Sequence, residues 1–199
     1  MLKRCHTENI FEAGCDEAGR GSLAGPVFAA AVILPADYHN HLLDDSKRVN
    51  PKSRLKLRND IEKNALAWAV AWVGNEIIDE LNILNASILA MHQALDKLKV
   101  RPDHILVDGN RFYAYHSIPH TCIIKGDALY APIAAASILA KTHRDEFMVD
   151  LHQYHNQYNW DRNKGYPTAK HRTAIRHYGI TPFHRKSFSL FGTQLEINF

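Results

Sequence analysis

Four acidic residues stand where chemistry is most easily assembled. Asp16 and Glu17 are adjacent in Asp16-Glu17-Ala18-Gly19-Arg20-Gly21-Ser22, Asp108 opens Asp108-Gly109-Asn110, and Asp127 closes Lys125-Gly126-Asp127. Each follows a short apolar run that reads as a strand. Two neighbouring carboxylates raise each other's pKa, a cost that a divalent cation removes. Gly19-Arg20-Gly21 supplies the complement, one fixed positive charge between residues whose bare backbone lets a ligand come close. The pattern suggests a metal held beside a phosphate chain. Any one of these motifs alone is equally well a polar turn. Three strand-terminal acid motifs in one chain are harder to assign to turns.

In an open α/β sheet, ligands gather beyond the carboxyl ends of the parallel strands. If the first, fourth and fifth strands are neighbours, the four carboxylates converge on one edge of the sheet. An all-oxygen set suits Mg2+ or Mn2+, and no His/Cys set is spaced to prefer zinc. Two such ions about 4 Å apart would clamp an in-line phosphoryl displacement.

The elements that must position these acids form an alternating α/β chain. Phe11–Cys15 and Pro26–Leu34 read as the first two strands. Asn50-Pro51 is a helix start, with Asn as N-cap and Pro at the first helical position. The spacing of Leu55, Leu57, Ile61 and Leu66 continues that helix. Ala67–Val73 reads as a third strand with Trp68, Val70 and Trp72 on one face. Residues 76–99 read as helical, in a short and a longer piece. His104–Val107 and Thr121–Ile124 are the remaining strands, and 132–154 is a long helix, small-residued where it begins. Thr168 caps a last helix that stops at Gly179.

At 199 residues the chain suits one well-buried domain, with 46% hydrophobic and 23% charged residues. There is no repeat, no long linker and no apolar run long enough to span a bilayer. Cys5, Cys15 and Cys122 are scattered and form no framework, which points to a reducing, cytoplasmic setting. The net charge is only +3, but Asp161 to Lys186 holds seven Lys/Arg against one acid, interleaved with Tyr166, Tyr178 and Phe183. A basic stripe with aromatics is the footprint of a nucleic-acid face; a solvated helix face is the plainer reading.

Taken in order, Asp16-Glu17-Ala18-Gly19-Arg20-Gly21, Asp45-Ser46-Lys47, Asp108-Gly109-Asn110, Lys125-Gly126-Asp127, Ala135-Ala136-Ser137-Ile138-Leu139-Ala140-Lys141, Lys164-Gly165-Tyr166-Pro167 and His184-Arg185-Lys186-Ser187-Phe188 resemble the successive signatures of bacterial ribonuclease HII. The resemblance covers roughly residues 12 to 190. It implies an RNase H-like fold, a mixed five-stranded sheet flanked by helices. The core would span about 11–155, with a basic helical substrate-binding segment at about 156–190 and a tail at 191–199. It also implies endonucleolytic cleavage of the RNA strand of RNA–DNA hybrids and incision at single ribonucleotides in duplex DNA. By the same match, Asp16, Glu17, Asp108 and Asp127 are the catalytic carboxylates that bind the Mg2+ or Mn2+ ions. Gly19, Arg20 and Gly21 sense the ribose 2′-hydroxyl, and Tyr166 stacks on the following deoxyribose. Lys47, Lys164 and Arg185 are candidates for phosphate contacts that position the duplex without reading sequence.

The chain departs from the usual pattern at Ser22, at Cys15 and at Arg48-Val49, none of which removes a ligand. Asp145 is better read as half of a helix-face salt bridge than as part of the site. Gln194-Leu195-Glu196-Ile197-Asn198-Phe199 resembles peptides that dock on the bacterial polymerase sliding clamp, which points to the clamp as a partner; otherwise the expectation is a monomer. Two other classes remain open on sequence grounds: a different metal-dependent nuclease or polynucleotidyl transferase on the same fold, and a catalytically silent hybrid-binding protein.

Overall fold

The computed structural model describes residues 2–44, 46 and 49–191. Five strands form one sheet: β1 (Glu12–Ala18), β2 (Val27–Ile33), β3 (Ala67–Val73), β4 (His104–Asp108) and β5 (His120–Ile123). Their order is β3-β2-β1-β4-β5. β2 runs antiparallel to β1 and β3, whereas β1, β4 and β5 are mutually parallel. The first, fourth and fifth strands are therefore neighbours, as the convergence of the acids requires.

The described residues form six helices: α1 (Pro51–Asn64), α2 (Asn75–Leu81), α3 (Ile83–Asp96), α4 (Ala131–His152), α5 (Trp160–Asn163) and α6 (Ala169–Tyr178). α3 covers one face, packing Met91 and Leu95 with Ala29, Ala31 and Val107. α4 and α1 cover the other, where Ala134, Ile138, Leu57 and Ile61 meet Ala30 and Val32. β2 is buried on both faces, which explains why it reads as an unbroken apolar run rather than an alternation. Among the described residues no helix is long and apolar enough to cross a membrane.

The small residues at the start of α4 have a geometric cause. A Cβ on Gly14 of β1 would lie 2.1 Å from the carbonyl carbon of Pro132, so helix backbone rests directly on strand backbone. Ala134, Ala135, Ala136 and Ser137 continue that close approach. It sets Ser137 beside β1 and, through it, the chemistry described below.

The caps follow the sequence. Asn50 Oδ1 accepts the Ser53 amide at 3.0 Å, with Pro51 in the first turn of α1. Thr168 Oγ1 accepts the His171 amide at 3.2 Å, and Gly179 ends α6 with φ +77°. Two expectations shift. The first strand does not stop at Cys15, because Asp16, Glu17 and Ala18 keep pairing with Ala30, Ala29 and Phe28 of β2; the ladder outweighs the low strand preference of charged residues. The last strand ends at Ile123, leaving Ile124 exposed. α5 and the 3-10 turns at Gly126–Ala128 and Asn156–Tyr158 carry no periodicity long enough to read.

Candidate active site

β1 and β4 are in register with Cys15 opposite Val107. The next residue of each strand is an acid, so Asp16 and Asp108 stand level at the end of a shared parallel ladder. Asp108 Oδ1 accepts the Gly126 amide at 2.7 Å. That bond ties the end of β4 to the 3-10 turn carrying Asp127, which is only 5% exposed. Alternation along β1 sends neighbouring side chains to opposite faces. Asp16 goes toward α4, where Ser137 hydrogen-bonds it, and Ser137 in turn lies 2.9 Å from the Ser46 hydroxyl. Glu17 lines a cleft on the α3 side with Asp108, Arg20, Ser87 and Arg111.

The electrostatics at Asp16 are those of a buried acid among acids. Burial, then the charges of Glu17 and Asp108, push its carboxyl well above the usual carboxylate range, against the bonds from Ser137 and the Glu17 amide. A divalent cation reverses that balance, because it offsets both the lost hydration and the like-charge repulsion. The donors are all oxygens, so the set fits Mg2+ or Mn2+. The four acids stand open rather than closed on one point. Among the described residues, the group whose ligand atoms all lie within 4.8 Å of one another is a different one.

The Gly19–Gly21 turn is held from beneath by two buried arginines. Gly19 has φ +97°, and a Cβ there would lie 2.0 Å from Arg144 Nε. Arg144, fully buried in α4, donates to the carbonyls of Pro26 (2.9 Å), Lys164 (2.9 Å) and Ala24 (3.2 Å). Arg185 donates to the carbonyls of Gly25 and Arg20, both at 2.9 Å. Backbone bonds from Leu23 to Gly165 and from Gly25 to Phe183 complete the stitching. The loop after β1 is thus fixed to the segment that bears Tyr166. Arg20 itself is exposed and pairs with Glu17 at 3.2 Å.

The expected phosphate contacts fare unevenly. Arg185 is corrected: it is 0% exposed, and burial, then the nearby charge of Arg144, pushes its pKa down to about 9. With Nε and Nη1 on backbone carbonyls and the side chain buried, this guanidinium supports the loop and does not face solvent. Lys164 is half-buried and donates to the Asp161 carbonyl, and burial lowers its pKa. Lys47 lies outside the described residues. Tyr166 is half-buried, its ring 5.8 Å from Lys141 Nζ and 5.5 Å from the Arg144 guanidinium carbon. Asp145 forms the helix-face ion pair with Lys141.

Arg144, the prop beneath this loop and absent from the expected site residues, carries a signal in the sequence. It falls between Ala140 and Met148 at helical spacing, and all three are buried. The other omission is the histidine pair under Tyr166. His171 Nε2 accepts from Trp160 Nε1 at 3.0 Å and its Nδ1 lies 3.0 Å from the Tyr166 carbonyl. His184 Nδ1 accepts the Thr181 amide at 2.9 Å. Both rings are therefore neutral, since an acceptor nitrogen carries no proton.

Burial, then His171, pushes the pKa of His184 from 6.5 down to about 4. A depressed histidine contributes stability that is complete above the unfolded value and is lost as pH falls toward the folded one. Between pH 6.5 and about 4 the contribution of this ring should fall by up to about 3 kcal/mol. Denaturant unfolding followed by Trp160 emission, with Trp68 and Trp72 replaced by Phe, measures this. Asp16, whose raised carboxyl works in the opposite direction, acts alike with and without the ring, so the same pH dependence in His184→Asn as in the wild type would contradict it.

Comparison with solved structures places the fold. The crystal structure of ribonuclease H2 from Pyrococcus horikoshii superposes with a TM-score of 0.73 at 26% identity, covering 90% of this chain and 94% of that one. The RNase HII of Archaeoglobus fulgidus, solved with PCNA, gives 0.77 at 23% identity, covering 94% and 98%. Sheet order and acid-lined edge thus define a protein of the RNase H-like class. The ribonuclease HII family model matches residues 13–191. Curated ribonucleases HII of Phocaeicola vulgatus and Bacteroides thetaiotaomicron are 60% and 61% identical, with full coverage of both chains in each case. The chain belongs to the ribonuclease HII family and is a ribonuclease H, a hydrolase.

Proposed function

We propose that this protein is an endoribonuclease that cleaves the RNA strand of RNA–DNA hybrids and also incises 5′ of single ribonucleotides embedded in duplex DNA, serving their removal. The observation that carries the reading is the level placement of Asp16 and Asp108 beside the turn of Asp127, with the Asp16 carboxyl destabilised by its own acidic neighbours. Asp16, Glu17, Asp108 and Asp127 would hold two divalent cations, Mg2+ or Mn2+. Bound there, the ions supply activation of an attacking water and stabilisation of the departing 3′-oxygen. Bst-RNase HIII, with a TM-score of 0.70 at 19% identity, was solved in complex with Mn2+. The products would carry 3′-hydroxyl and 5′-phosphate ends.

The chain's own residues supply selection and orientation. Only a 2′-hydroxyl separates a ribonucleotide from its DNA counterpart, so reading it needs donors and acceptors at close range. Gly21 supports that role for the Gly19-Arg20-Gly21 turn. A Cβ added there meets nothing within 4 Å, so the fold itself does not demand glycine. Gly21→Ala should therefore leave thermal stability unchanged while slowing incision about 100-fold, the scale of a small misplacement at a reacting centre. A variant with normal incision would mean that no substrate comes close to this turn. Tyr166, anchored through its carbonyl to His171, would test for the missing hydroxyl of the next sugar by ring contact. Lys164, with Lys47, would add phosphate contacts.

The reading is tested on three duplexes: one embedded ribonucleotide, a continuous hybrid, and all DNA. Cutting of the first two and not the third is expected. Cutting of the hybrid alone would remove the junction role from Gly19-Arg20-Gly21 and Tyr166. Metal-independent binding without products would favour a silent binding protein, against which the intact acid set and the family stand.

The cytoplasm is the proposed compartment and a monomer the proposed state. Gln194–Phe199 lies outside the described residues. The Archaeoglobus fulgidus RNase HII, solved in complex with PCNA, supports a sliding clamp as partner. Deleting the last six residues should abolish co-elution with the clamp; unchanged co-elution would sink that assignment.

A further inference from the structure

The end of the sheet opposite the catalytic acids carries a second group of potential ligands. Glu12 begins β1, His104 begins β4, and the two are register partners in the parallel ladder. The segment before β1 folds back so that His6 joins them. Each of the three offers one ligand atom, and these atoms all lie within 4.8 Å of one another. His6 Nδ1 is 4.0 Å from Glu12 Oε1, and the Glu12 side chain is only 2% exposed. The His6 amide donates to Glu12 Oε2 at 2.7 Å and the Thr7 amide to Oε1 at 2.8 Å. His104 Nε2 lies 2.9 Å from the Thr121 hydroxyl, and the His6 ring meets the His104 ring edge-on, with centroids 5.7 Å apart.

We propose that His6, Glu12 and His104 form a binding site for a zinc-type divalent transition ion, distinct from the catalytic acids. Two imidazoles and one carboxylate are the donor set of three-ligand zinc centres, which leave the fourth position to water or another ligand. Imidazole favours such ions, whereas the all-carboxylate edge favours Mg2+ or Mn2+; the two sites select different metals. The supporting bonds are of the kind ligands need. A ligating carboxylate is itself hydrogen-bonded, and a ligating histidine is oriented through its other ring nitrogen. Glu12 has its two amides and His104 has Thr121. Each carboxylate oxygen offers two acceptor directions, so one amide apiece leaves capacity for an ion. Asp16 lies four residue steps beyond Glu12 on β1, about 13 Å along the strand. A cavity of about 830 Å³ lined by Cys5, Thr7, Glu12 and Pro132 opens beside Glu12, and the exposed His6 leaves the cluster accessible from solvent.

Such an ion would staple the N-terminal arm to the sheet. The Lys3 amide donates to the Leu129 carbonyl and the Ala131 amide to the Lys3 carbonyl, both at 2.8 Å. The His6 ring lies 5.9 Å from that of Tyr130. The arm therefore rests on the segment that joins Asp127 to α4, and fixing His6 fixes both. Sequence spacing gave no sign of the site. Its ligands lie at positions 6, 12 and 104, and only the parallel pairing of β1 with β4 unites them.

The test uses tag-free, full-length protein with excess Mg2+ to fill the acidic edge. Co2+ is titrated in, with visible absorbance reporting its coordination, and is then displaced by Zn2+. One Co2+ equivalent is expected in the wild type and in Asp16→Asn, lost in His6→Ala and in His104→Ala. Thr121→Val should weaken binding about 10- to 100-fold. Zn2+ should raise the melting temperature of the wild type and not of His6→Ala, whose exposed ring can be removed without disturbing the core. The same Co2+ stoichiometry, affinity and spectrum in His6→Ala as in the wild type would overturn the site. So would loss of the equivalent in Asp16→Asn, because the ion would then belong to the catalytic acids.

Discussion

Asp16→Asn should abolish cleavage while leaving the metal-free protein at least as stable as the wild type. Asp16 is 5% exposed, and its ionised carboxyl is destabilised by burial and by Glu17 and Asp108. Asparagine keeps the shape and can still accept the Glu17 amide, which the aspartate holds at 2.7 Å. What it lacks is the charge that a cation needs and that the apo fold is better without. Loss of a metal ligand removes stabilisation of developing charge worth several kcal/mol, so the rate should fall on the order of 1,000-fold or more. Single-turnover incision and thermal unfolding in chelator measure the two halves separately. Activity within tenfold of wild type would remove Asp16 from the metal set. A marked drop in metal-free stability would mean that the side chain is structural.

Arg144→Ala carries the largest expected cost to the fold. Its guanidinium is the hydrogen-bond partner of the carbonyls of Ala24, Pro26 and Lys164 in a region closed to water. Truncation strands those acceptors, at about 1–3 kcal/mol for each left unsatisfied, and opens a cavity as well. Relief of repulsion with the neighbouring Arg185, which that charge helps to destabilise, offsets part of the loss. A net cost of about 3–5 kcal/mol is expected, the range for breaking a buried charged network. The shift in denaturant midpoint measures it. The damage should also reach the chemistry, because Arg144 is the prop under both Gly19 and the carbonyl before Gly165. A cost below about 1 kcal/mol would show that water or a rearranged loop replaces the guanidinium.

What could be read from the sequence was mostly what local physics decides. The strands, the Asn50 and Thr168 caps and the Gly179 stop follow from short-range patterns, and all are present. The acids could be gathered in advance because strand ends in a parallel sheet share an edge. β1 runs past its expected end because pairing with β2 is a tertiary matter that charges at Asp16 and Glu17 do not reveal. Neither the motif that contains Arg185 nor its charge says whether a guanidinium faces phosphate or carbonyls. Arg144 was overlooked for the converse reason, a cation on the apolar stripe of a helix, where its register with Ala140 and Met148 was the better guide. His6, Glu12 and His104 were invisible because strand pairing, not spacing, unites them. Lys47 and the clamp-like tail lie outside the described residues and stand on resemblance alone.

The central claim is hydrolysis directed by metal at the carboxylate edge, and the chemistry of the cut ends tests it most directly. A 5′-labelled DNA duplex with one embedded ribonucleotide is incubated with the protein in Mg2+, in Mn2+ and in chelator, and the product termini are mapped. One labelled product is expected, which stops just before the ribonucleotide, ends in a 3′-hydroxyl, and disappears in chelator. A 2′,3′-cyclic phosphate persisting in chelator would contradict it, since the sugar's own 2′-hydroxyl would then be the nucleophile and the four acids would hold no part in the reaction.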